Sequence, residues 1–150
     1  MTAFMVSVSG HALAQTLSAD VSDGSIPNFH ASKPNAFCFP TTQARFVRLT
    51  IAGGGTAAPC IDEIEVYGPD KVANLALASA GAKASASSSL TGHAIHRIEH
   101  VNDGLYGNDH SWICGEVSGW VQLEWPRPTT VSEVVLSRDR TGVQNRTGCY

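Results

Sequence analysis

The sequence is short of charge and concentrates neither sign: 10 Lys and Arg against 13 Asp and Glu leave a net charge of −3 over 150 residues, with no basic run. The electrostatic footprint of a nucleic-acid binder is missing, so no nucleic-acid partner is expected. Long apolar runs are missing too. None approaches the roughly 18 residues of a spanning helix, so no transmembrane segment is expected. The four cysteines, Cys38, Cys60, Cys114 and Cys149, form no C-x-x-C pair. That excludes a zinc knuckle and leaves two disulfides or buried thiols equally open. No G-x-S-x-G elbow, P-loop or G-x-G-x-x-G occurs, and "GGGTAAP" precedes a strand pattern rather than a helix. His93, His96 and His100 lie in "HAIHRIEH", which is not H-E-x-x-H. Loop or surface histidines are expected there rather than zinc ligands. No enzyme is expected.

What is present is a turn-rich, moderately apolar chain: 43% hydrophobic, 15% charged, with 14 Gly and 7 Pro. Its length suits one domain with one buried core. The start, "MTAFMVSVSGHALAQ", has no basic n-region, and Phe4, Val6 and Val8 alternate with Met5, Ser7 and Ser9. A strand is expected there rather than a signal peptide.

Alternation of period two marks four further stretches. "ARFVRLTIA" sets Val47, Leu49 and Ile51 on one face, and "CIDEIEVYG" sets Ile64 and Val66 opposite Glu63 and Glu65. "GWVQLEW" opposes Val121, Leu123 and Trp125 to Trp120, Gln122 and Glu124, and "VSEVVLSRD" carries Val134 and Leu136 together. All four are expected strands. Helix is nearly absent, with at most a short turn in "HAIHRIEHVNDG". "SDGSIPN", "GGGTAAP" and "EWPRPTT" are expected turns. The Ala- and Ser-rich segment after Tyr67 resembles a linker, except that "NLAL" alternates like an edge strand. The fold class expected is all-β, an antiparallel sandwich.

Three stretches in order, "NLALASAGAKASASSSL", "HVNDGLYGNDHSW" and "GWVQLEWPRPTTVSEVVLSRDR", resemble the opening half of a discoidin domain, also called the coagulation-factor type C domain. "ARFVRLTIAGGGTAAPCIDEIEVYG" is similar to the closing half. The resemblance covers about four-fifths of the chain, from about Phe37 onward. It implies a jelly-roll, galactose-binding-like sandwich with its halves reversed, through circular permutation or as the junction of two tandem domains. Residues 1–68 form the closing half, 69–73 the connection and 74–150 the opening half. The halves are expected to pack together, within one chain or as a domain-swapped dimer, because each alone leaves bare strand edges and apolar faces.

The same resemblance implies a non-catalytic module for a glycan or cell-surface ligand, located outside the cell or in its envelope. The alternatives are a protein- or lipid-contacting adhesion module, or an accessory domain of a larger secreted enzyme. It also implies a structural Ca²⁺ held by the side chains of Asp103 and Glu63 and the backbone carbonyls of His100 and Asp62, with Asn108 and Ser111 as further loop donors. Such oxygens suit calcium. Trp112 follows Asp103 at a longer spacing than the family's, and the D-G pair equally makes a plain turn. Tyr106, His110, Arg140, Asn145 and Arg146 are the candidate ligand-binding residues, an aromatic face with polar groups being what sugars select. Arg138 and Arg140 equally suit a structural ion-pair cluster, and Trp112, Trp120 and Trp125 suit core or sheet packing.

Overall fold

The computed structural model describes residues 3–9, 14–15, 33–52, 56–138 and 140, with backbone alone for the first two segments. Eight strands follow in chain order. These are β1 (Ala3–Ser9), β2 (Ala14–Gln15), β3 (Asn35–Ala52), β4 (Cys60–Ile61), β5 (Glu63–Tyr67), β6 (Lys83–Ala86), β7 (Trp112–Ile113) and β8 (Gly119–Ser137). Every pairing between these strands is antiparallel, in one six-stranded sheet and one two-stranded sheet. Helix is confined to two 3-10 turns, Ala78–Ala80 and Ile98–Asn102. The protein is all-β.

The long strand β8 is the spine. One edge pairs with β3 from Gly119 to Leu136. The other takes β6 beside 121–124 and β5 beside 133–137. Strand β1 extends the sheet by pairing with β3, so the alternating start of the chain does form a strand.

Two expected strands, "GWVQLEW" and "VSEVVLSRD", prove to be one, and the turn expected at "EWPRPTT" is a bulge inside it. Between Ala44 and Phe46 the partner on β8 jumps from Thr129 to Glu124, and the exposed Pro126 and Pro128 fall in the surplus. Proline has no N–H for a ladder, so a strand tolerates it where pairing lapses.

Alternation sets the first half of this ladder. Val47, Leu49 and Ile51 are buried on β3 and face their partners Leu123, Val121 and Gly119, while Gln122 and Glu124 point outward. Burying each such aliphatic side chain stabilises by about 1.5–3 kcal/mol. One core cluster holds these residues together with Ile61, Ile64 and Val66 from before the connection at 69–73 and Trp112, Val131, Val134 and Leu136 from after it. Residues on both sides of that connection thus share an interior.

"NLAL" is not a strand. Asn74 Oδ1 accepts from the backbone N–H of Val66 at 3.1 Å and of Ala76 at 3.0 Å, folding the chain into a turn that alternation does not reveal. Nor is the Ala- and Ser-rich segment that contains it a linker: it supplies β6 and buries Ala76 and Ala82. Trp125 Nε1 donates to Leu75 O at 2.7 Å and Asn102 Nδ2 to Ala76 O at 2.8 Å, which pins this thin segment to the core.

Candidate functional site

The acidic strand β5 and the loop after Ile98–Asn102 meet at one end of the sheet. The 3-10 turn sinks Val101 fully into the core and delivers Asp103 to the surface. Gly104 and Gly107 follow with φ of +82° and +109°, a region that side-chain-bearing residues rarely adopt, so the tight path of "DGLYG" depends on them.

Three rungs join that loop to "DEIE". Gly107 N–H donates to Asp62 Oδ2 at 3.1 Å. Gly104 N–H donates to both Glu63 oxygens, at 3.2 and 3.3 Å. The Tyr106 hydroxyl donates to Glu65 Oε1. The three acids lie within residues 62–65 and their three partners within 104–107, so the loop is fixed against the strand as a plate.

Cations close two of the three rungs. Arg138 pairs with Asp62 at 3.1 Å in full burial. Arg140 pairs with Glu65 at 2.8 Å, donates to the Tyr106 oxygen at 2.6 Å, and lies 4.7 Å from the centre of its ring. Burial, then the Glu65 carboxylate, pushes the Tyr106 phenol above its ordinary range and keeps it a donor.

Glu63 is different. It is fully buried, and among the described residues no cationic side chain bonds it. Burial pushes its carboxyl up to about 9; the Gly104 N–H only partly offsets that, and Asp103 and Glu65 add repulsion. A carboxylate sealed from water without a counter-charge is costly unless it is protonated or meets a cation. Asp103 is close enough to add repulsion to Glu63, and both are hard oxygen donors.

The remaining expected residues are placed as follows. Asp103 accepts from Leu105 N–H at 2.8 Å through Oδ1 and faces His110 Nδ1 at 3.1 Å through Oδ2. Asn108 offers its carbonyl to the Ser111 hydroxyl at 3.1 Å, and Ser111, fully buried, also bonds His96 Nδ1 at 2.8 Å. His100 is buried, with Nδ1 at 2.9 Å from Ile95 O. Tyr106 and His110 are half-buried at the surface of the plate. Asn145 and Arg146 lie outside the described residues.

Alternation placed Glu63 and Glu65 on one face but gave no sign that the face is covered. It also gave no sign of Gly107 as a donor, or of the His100 and His110 rings meeting with centroids 5.2 Å apart. Of the three clustered histidines, His96 is buried against Ser111 and His93 lies 5.9 Å from its ring. Trp112 and Trp125 are core residues, whereas Trp120 is half-buried with the Arg48 guanidinium 4.2 Å above it. Cys60 is disulfide-bonded, Cys38 and Cys114 are free thiols, and Cys149 lies outside the described residues.

Searches against protein-family models, curated proteins and solved structures return no match for this chain.

Proposed function

We propose that this protein is a non-catalytic discoidin-type module, a jelly-roll sandwich assembled from a closing half followed by an opening half, that binds a glycan or cell-surface ligand at its loop end. The observation that carries this reading is the plate formed by "DGLYG" on "DEIE". A rigid backbone lowers the entropic cost of binding, and this one carries a half-buried Tyr106, with Arg140 against one face of its ring, in the same loop as Asp109 and His110. An aromatic edge with convergent polar groups suits a sugar's apolar face and hydroxyls. Ca²⁺ is the structural ion of this reading, held by Glu63 and Asp103, and it would neutralise Glu63, which among the described residues is bonded by no cationic side chain. The disulfide at Cys60 supports an extracellular or envelope location, since disulfides persist in oxidising compartments.

The test is a glycan array probed with the purified chain in Ca²⁺, alongside Tyr106→Ala. Signal on a defined sugar class that Tyr106→Ala removes is the expected outcome; no signal, or signal indifferent to Tyr106, rejects the reading.

A second reading, a protein-contacting adhesion module, is favoured by one feature: Leu105 is 50% exposed at the tip of the same loop. Lipid is a poorer partner, because Asp103 and Asp109 flank that tip where a membrane binder needs basic residues. Leu105→Ser should then abolish capture of a protein ligand while sparing any sugar signal.

A further inference from the structure

We infer that His100, Asp103 and His110 form a binding site for a zinc-class divalent transition-metal ion; it shares Asp103 with the calcium reading but adds two imidazole nitrogens in place of further oxygens, and it does not rest on that reading. One potential ligand atom from each lies within 4.8 Å of the others. Two imidazoles and a carboxylate are a donor set that zinc takes with three protein ligands and one open position. Calcium, by contrast, selects oxygen.

The hydrogen bonds around His100 prepare it for this role. Its Nδ1 faces the Ile95 carbonyl at 2.9 Å, and a carbonyl only accepts, so Nδ1 carries the proton. Its Nε2 faces the Arg97 guanidinium at 3.2 Å, and a guanidinium only donates, so Nε2 carries the lone pair. Both contacts thus specify the same neutral tautomer. A ring N–H donated to a backbone carbonyl, with the other nitrogen's lone pair aimed outward, is the usual setting of a metal-binding histidine. Arg97 is exposed and can swing into water when an ion takes its place.

Asp103 and His110 supply the other edge. Oδ2 and Nδ1 stand 3.1 Å apart, close to the roughly 3.3–3.5 Å separating two ligand atoms on a tetrahedral zinc ion with bonds near 2.0–2.2 Å. Bringing a side of up to 4.8 Å to that separation takes at most about 1.5 Å of side-chain movement by the same geometry. His110, with 40% of its side chain exposed, has room to make it. That exposure also leaves the open position facing solvent, where water or an anionic ligand group would complete the coordination.

The experiment is calorimetric titration of ZnCl₂ into the full chain in calcium-free buffer, with Co²⁺ absorption as a second readout of imidazole ligation. One ion per chain is expected, with visible Co²⁺ bands of a four- or five-coordinate site. His110→Ala changes a half-exposed side chain and should weaken Zn²⁺ at least about tenfold. His93→Ala and Glu63→Gln should leave Zn²⁺ affinity unchanged, and His110→Ala should leave any Ca²⁺ response intact. Absence of Zn²⁺ uptake, or uptake that His93→Ala removes and His110→Ala does not, overturns the inference. Absence of any Ca²⁺ response in the parent protein, with Zn²⁺ binding present, would count against the calcium reading alone.

Discussion

Glu63 and Gly104 are 41 positions apart in sequence, yet the Gly104 N–H straddles both oxygens of the Glu63 carboxylate, at 3.2 and 3.3 Å. Glu63 comes from before the connection at 69–73 and Gly104 from after it, so the contact exists only when those two segments are assembled.

The first prediction concerns that carboxylate. Burial pushes Glu63 up to about 9 from 4.5, so at pH 7 the metal-free fold bears a cost of roughly 3 kcal/mol for keeping it protonated. Glu63→Gln keeps an acceptor for Gly104 without the ionisable group. The metal-free variant should gain about 1–3 kcal/mol in urea denaturation at pH 7. Saturating Ca²⁺ should stabilise the parent protein by about 3 kcal/mol and the variant hardly at all.

A second prediction follows from His96. Burial first, then the nearby positive groups His93 and Arg138, lowers its affinity for a proton below the ordinary 6.5. The unfolded chain therefore takes up the proton before the folded one does. Stability is fully present above pH 6.5 and is lost as the pH falls through 6.5 toward the lower folded value. In a Glu63→Gln background, which removes the opposing rise from the Glu63 carboxyl, thermal midpoints should drop as the pH falls below 6.5, and adding His96→Gln should flatten that part of the profile. A single-variant profile identical to the double variant's would refute the assignment.

The third concerns Glu65, Tyr106 and Arg140. Removing Arg140 leaves Glu65, 6% exposed, with a hydroxyl as its sole described side-chain partner. Loss of a buried pair's cation costs about 3–5 kcal/mol, and the 32% exposure of the Arg140 side chain reduces that to about 1–3 kcal/mol. Tyr106→Phe should cost about 1–2 kcal/mol through the lost hydrogen bond. The double variant should lose less than the sum, because both partners serve one carboxylate.

Strands were legible where one face meets the core and the other meets water. Val47, Leu49 and Ile51, and again Val121 and Leu123, are such cases. Past the bulge that logic fails, because residues 133–137 are buried on both faces and alternation disappears. Pro126 and Pro128 look like a turn in sequence; only the opposing strand reveals that they occupy a lapse in pairing. Asn74 misleads in the other direction, because its side chain replaces the ladder that "NLAL" would need. At the site, residue types were legible and surroundings were not. Glu63 and Glu65 look like solvated carboxylates until Arg140 and the loop at 103–107 cover them. Likewise the nearness of His110 to His100 depends on two left-handed glycines that place the intervening chain.

The last prediction tests whether the chain folds as one unit. Leu49 on β3 faces Val121 on β8 in the ladder, and both belong to the cluster that encloses Trp112 and Trp125. All three tryptophans lie after the connection at 69–73, so their fluorescence reports on that segment alone. Leu49→Ala, made before the connection, should cost about 2–5 kcal/mol through lost burial and the cavity left behind. If the interior is shared, the tryptophan transition and the far-ultraviolet circular dichroism transition should move together and remain coincident in urea. Were the two segments independent, Leu49→Ala would shift only part of the dichroism signal and leave the fluorescence midpoint where it was. Because β3 pairs with β8 along nearly the whole length of both strands, a partial loss of this kind would require the longest ladder in the molecule to separate while its neighbours stay folded.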